Sequence, residues 1–221
     1  MRRWSGIAGL VFVVLAFASR AVRGSVPDTD TRDALVRFTR FYADSTHNDH
    51  ALVAIVLGFL GLFAFAWFLG GLWSMLRSAE GAATTPTIII AVGGAAFVAL
   101  GMVAHVFSEG VGVTMHFSKG YTIDHGFDPG TALVMASLGT GAFLASMLAV
   151  GAATAAAGVV ILRTRTLPVW LAWIGIAIAV FCLPIIPPLT FVAAVLLAIW
   201  TLVISGLMVR GDERTTLDPT T

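Results

Sequence analysis

His105, Glu109 and His116 fall on one short stretch, ALGMVAHVFSEGVGVTMHFSKG, residues 99–120. His47 and His50 precede another apolar run. Neutral imidazole and carboxylate are ordinary ligands for zinc and copper. His105 and Glu109 are four apart and His47 and His50 three apart, so each pair would share a helix face. Met102 and Met115 lie close by in sequence and would favour copper over zinc. The candidate metal set is therefore His47, His50, His105, Glu109 and His116. His125, Asp44, Asp49, Asp124 and Asp128 belong to the same side of the chain. The same residues allow two other readings. His105 and Glu109 could handle a proton or cation, or the whole set could be polar residues where a span emerges into water. No HExxH, CxxC pair or closely spaced histidine triplet is present. Glu109 is expected to reach the headgroups without burial. His105 is the residue placed deep enough to be costly, with Glu109 as its nearest partner and Asp49 and His50 next.

The elements that position these residues follow from composition. Of 221 residues, 58% are hydrophobic and 11% charged, against about 25% charged in a soluble domain. One core cannot hide that much apolar surface, so most of it faces lipid. Net charge is +1, which leaves no basic footprint for nucleic acid. Crossing about 30 Å of hydrocarbon takes roughly 20 apolar residues in a helix. Six segments serve: 4–22, 51–76, 87–107, 130–162, 168–183 and 189–209. Lipid tolerates no unpaired backbone, so these are helices. The fourth carries no charge and would extend about 50 Å at ~1.5 Å per residue, so it tilts or protrudes. The expectation is one integral membrane domain, 1–221, an all-α polytopic bundle of six transmembrane helices.

A short amphipathic outer helix is predicted within DTDTRDALVRFTRFYAD. Asp30 or Thr31 caps it, Asp33 sits in its first turn, and Leu35, Phe38, Phe41 and Tyr42 form its apolar side. It is either a lid over an outer site or an interfacial helix lying on headgroups. The amino terminus also reads as a signal peptide with an Ala16-Phe17-Ala18 cleavage step; a retained first helix is expected, because the bundle needs it for packing. Arg77, Arg163, Arg165, Arg210 and Arg214 follow alternate spans, so both termini are expected in the cytoplasm.

Gly141, Ala145, Ala149, Ala153 and Ala157 recur every four residues on the fourth span. They make a face bare enough for close helix packing, with a helix of the same chain as the expected partner. CLPIIPP, residues 182–188, reads as a proline turn between the last two spans. The single cysteine, Cys182, lies in an apolar run and reads as a small buried hydrophobe. Enzyme signatures are missing: no P-loop, no GxGxxG opening a helix, no GxSxG. No carboxylate is expected at mid-depth in a span, which argues against a transporter built around a midplane charge.

Four stretches carry a resemblance. They are the short first helix, VPDTDTRDALVRFTRFYAD, FAFAWFLGGLWSML and RTRTLPVWLAWIGIAIAV. With them the chain resembles small multi-span inner-membrane proteins of unknown function from high-GC Gram-positive bacteria. The resemblance implies a six-helix bundle and brings no reaction, ligand or site residue. The function expected is a non-enzymatic membrane component, either accessory to another complex or acting in envelope maintenance. The alternatives are a small-solute or ion permease lined by residues such as Thr140, Ser146 and Thr154, and a protein holding zinc or copper at its outer face. The lipid bilayer is one partner; a second copy or another membrane protein is the other.

Overall fold

The computed structural model describes residues 2–27, 33–118, 128–183 and 187–216. Among them are seven helices and no strand: α1 (Arg2–Arg23), α2 (Ala34–Ala43), α3 (Ser45–Glu80), α4 (Thr85–Phe117), α5 (Pro129–Thr164), α6 (Val169–Phe181) and α7 (Pro187–Thr216). Five are long and apolar enough to cross a membrane, and α6, at 13 residues, is a shorter apolar helix. The all-α bundle is as expected.

Two helix ends that carry candidate residues differ from expectation, for one physical reason. α3 begins at Ser45 and not at residue 51, so His47 and His50 stand in its first turns. Asp44 caps it, accepting the Thr46 N–H at 2.9 Å. That hydrogen bond holds the Asp44 carboxyl below its usual range. α4 continues to Phe117 and not 107, which puts His116 in its last turn and not in a loop. Apolar runs mark the lipid-facing length of a helix; its wet or protein-paired turns carry no such signal. α5 matches its expected limits closely. Asp128 starts it by accepting from the Thr131 hydroxyl and N–H and the Gly130 N–H at 2.9–3.1 Å.

The chain divides into two compact units, and α1, α3, α4 and α5 each contribute to both. The first comprises Met1–Val14, Gly61–Ala99 and Leu144–Thr221. Its core joins Phe12, Phe65 and Phe97, with ring centroids 4.7 and 4.9 Å apart. Its helices meet at their backbones. A Cβ at Gly93 of α4 would stand 2.7 Å from the Ala149 carbonyl of α5, and 3.2 Å from the Ala153 side chain. Gly158 of α5 faces the Ala172 carbonyl of α6, and Gly175 of α6 faces the Thr154 carbonyl of α5, each at 2.7 Å from a built Cβ. In lipid such close packing replaces the hydrophobic effect as the force between helices. The expected small-residue face therefore packs within this chain at Ala149, Ala153 and Ala157, the last two buried. Ala145 is half-buried, and Gly141, at the other end of the stripe, is exposed with open space where a side chain would stand. The stripe outruns the contact because a straight helix face stays against one neighbour for only part of its length. Cys182 is buried as expected; Pro184–Ile186 of the proline turn lie outside the described residues.

The second unit comprises Leu15–Leu60 and Leu100–Phe143. α2 docks here through Phe38, fully buried, and Tyr42. They pack with Val26, Val111, Ala132, Leu133 and Ala136. Burying a side chain the size of Phe38 contributes about 1.5–3 kcal/mol. Leu35 and Val36 stay exposed, so the apolar side is narrower than the periodicity predicted. Asp33 stands at the amino end of α2 without a side-chain capping bond, and binds Arg37 one turn on at 2.8 Å instead. Asp30 and Thr31, the predicted caps, lie outside the described residues.

Candidate functional site

The second unit gathers the polar residues of α4. His105, Glu109, Gly112 and His116 recur along one helix face, and each meets a different neighbour. α1 supplies the first. Gly24 follows Arg23 with φ +68°, in the left-handed region that glycine tolerates, and its N–H returns to the Arg20 carbonyl. The helix stops there and leaves Arg23 in its last turn. Arg23 Nε lies 2.7 Å from Glu109 Oε1. Glu109 is 4% exposed. Two expectations change. Glu109 does not reach the headgroups bare, and its partner is Arg23, not His105. A buried carboxylate is costly unless paired, and this one is paired.

Tyr42 of α2 stands beside the pair. Its phenol is pushed up to about 12, first by burial and then by the Glu109 charge, with Arg23 acting in the opposite sense. The phenol thus stays neutral at any ordinary pH. The Tyr42 carbonyl accepts the Asn48 side-chain amide at 3.2 Å, which ties α2 to the first turn of α3. At Gly112 a side chain would run into Ala51, so glycine lets α4 and α3 close around this point.

His105 lies one turn before Glu109 on α4, with its ring over Gly58 of α3. A Cβ at Gly58 would fall 2.5 Å from the ring carbon Cε1. Phe59 meets the imidazole edge-on, with centroids 6.4 Å apart. At the other end of the face His116 Nδ1 lies 2.7 Å from Asp49 Oδ1 of α3. Asp49, expected as a second partner of His105, is engaged by His116.

The five candidate ligands thus separate. His47 sits 3.3 Å from Asp44 and stacks on Phe41 at 4.2 Å. His50 is exposed at the start of α3. His116 pairs with Asp49, Glu109 with Arg23, and His105 fills the space over Gly58. Among the described residues no three His, Cys, Asp or Glu side chains form a group that could hold a metal ion. His125 and Asp124 lie outside the described residues. Of the hydroxyls named for a permease, Thr140 and Thr154 donate to carbonyls of their own helix, Ala136 and Gly151, and Ser146 is buried.

Arg23, Tyr42 and Asn48 are the site residues that sequence reading missed. A signal existed for Arg23. It ends the first span as Glu109 ends the third, so both sit at the same end of neighbouring helices. A carboxylate left at the edge of lipid calls for a cation at matching depth.

Beside this cluster, Ser25, Val26, Pro27, Arg37, Arg40 and Phe41 line a surface hollow of about 450 Å³. The five long apolar helices define an all-α, multi-pass membrane protein. No family model, curated protein or solved structure matches the chain.

Proposed function

We propose that this protein is a non-enzymatic component of the bacterial cytoplasmic membrane, accessory to another membrane complex or acting in envelope maintenance. The observation that supports the reading is the backbone-level packing of α5 against α4 and α6 at Gly93, Gly158 and Gly175. Two interior polar groups there pair with the protein itself: Thr154 donates to Gly151, and Trp200 Nε1 donates to the Leu171 carbonyl at 3.0 Å. A bundle closed in this way serves as a scaffold in lipid. The bacterial setting rests on the resemblance to small membrane proteins of high-GC Gram-positive organisms. The experiment is flux into proteoliposomes of protons, monovalent cations and small neutral solutes. The expected rates equal those of protein-free vesicles. A saturable, protein-dependent flux of any of them overturns the reading in favour of a permease.

In this reading both termini are cytoplasmic, because Arg77, Arg163, Arg165, Arg210 and Arg214 then lie inside. In a background with Cys182 replaced, an impermeant thiol reagent added outside is expected to label Ser45→Cys and to spare Thr166→Cys. Both positions are exposed on the protein. The reverse pattern inverts the topology.

A further inference from the structure

α2 has three distinct sides. Ala34, Phe38 and Tyr42 are buried against the second unit. Leu35 and Val36 form an exposed apolar flank. Arg37 and Arg40 form a cationic flank and, with Ser25, Val26, Pro27 and Phe41, line the hollow of about 450 Å³. α2 follows the end of α1 and precedes the start of α3, so it lies where two apolar helices leave the hydrocarbon. A helix at that level with apolar side chains beside arginines has the chemistry of the headgroup boundary.

We propose that this hollow binds the phosphodiester of an anionic lipid headgroup, with Arg40 as the principal cation. The charges around it support this assignment. Arg37 is already paired with Asp33 at 2.8 Å, so its charge is offset. Arg23 is committed to Glu109. Arg40 has no acidic partner among the described residues. Its guanidinium presents a planar donor fork suited to phosphate oxygens, and the Ser25 hydroxyl on the same wall adds a donor. Val26, Pro27 and Phe41 supply apolar surface for the glycerol and upper acyl carbons. A zwitterionic headgroup brings its own cation to the same place, and Arg40 repels it. The site therefore selects for net negative charge and not for lipid in general.

The test is native mass spectrometry of the purified full chain, titrated with phosphatidylglycerol or phosphatidylcholine in mixed micelles. Wild type is expected to hold one phosphatidylglycerol more firmly than any phosphatidylcholine. Arg40→Gln is expected to weaken that lipid about fivefold, corresponding to about 1 kcal/mol per surface cation, and Arg40→Lys to restore part of it. Arg77→Gln, at the far end of α3, is expected to leave it in place, which separates this site from general charge attraction. Circular dichroism of each variant checks that the helices persist. Equal phosphatidylglycerol retention in wild type and Arg40→Gln overturns the proposal, as does equal retention of phosphatidylcholine. Displacement of the lipid by millimolar inorganic phosphate would make the site one for free phosphate and would also overturn it.

Discussion

Replacing Arg23 with Met is expected to lower the unfolding free energy by about 3–5 kcal/mol, the cost of stranding one member of a buried ion pair. The two members are not equivalent. Glu109 is 4% exposed, so without the guanidinium its charge has no route to water. The Arg23 side chain keeps 26% of its surface and can turn its head outward. Glu109→Gln is therefore expected to cost less, about 1–3 kcal/mol. The double variant should be more stable than Arg23→Met alone, because it removes the stranded carboxylate as well. Unfolding of the four proteins in one detergent completes the cycle. A strictly additive double would mean that the two charges do not interact, and equal losses in the two single variants would mean that the two ends of the pair are equally cut off from water.

The second large effect is expected at the α5–α6 crossing. Gly158→Ala and Gly175→Ala each push a methyl group toward a backbone carbonyl 2.7 Å away. A carbonyl on a helix cannot swing aside as a side-chain tip can, so whole helices must separate, at about 1–3 kcal/mol. The two losses should combine to less than their sum, since one displacement relieves both contacts. Gly141→Ala is the contrasting case. It lies on the same helix, in open space, where alanine favours helix over glycine by about 1 kcal/mol. The expected ranking by thermal unfolding is Gly141→Ala at or above wild type, with both crossing variants well below. Matching values at Gly141 and Gly158 would remove the distinction between an open and a packed glycine.

Sequence periodicity anticipated this split only in part. The four-residue recurrence from Gly141 to Ala157 marks a bare face, but a bare face does not say which part of it meets a neighbour. Apolar length located the spans, and an uncharged run bounded by Asp128 and Arg163 defined α5 almost to the residue. The first turns of α3 and the last turns of α4 were not legible, because residues 45–50 and 108–117 are polar or glycine-broken. They stay helical through one local cap, Asp44 on the Thr46 N–H, and through tertiary contacts: the Asn48 bond to Tyr42, Arg23 on Glu109, and Ala51 fitting at Gly112. The candidate site lies in those turns. Its carboxylate was visible as a residue, while its burial depended on a cation from a helix remote in sequence. That pairing has no local signature. The docking of α2 was half legible: Phe38 and Tyr42 were identified as its apolar side, and the exposure of Leu35 was not.

The brevity of α6 has a consequence for the chain beyond it. Thirteen helical residues rise about 20 Å, which leaves roughly 10 Å of a 30 Å hydrocarbon layer uncovered on that limb of the hairpin. Leu189–Arg210 of α7, at 22 residues, spans the full thickness alone. The shorter limb closes on its own amides: the Cys182 N–H returns to the Ile178 carbonyl at 2.9 Å and the Leu183 N–H to the Val180 carbonyl at 3.2 Å. A helix that stops short of the full thickness thus ends without a bare amide at Cys182 or Leu183, and Pro184, next in the sequence, has no amide hydrogen to bare.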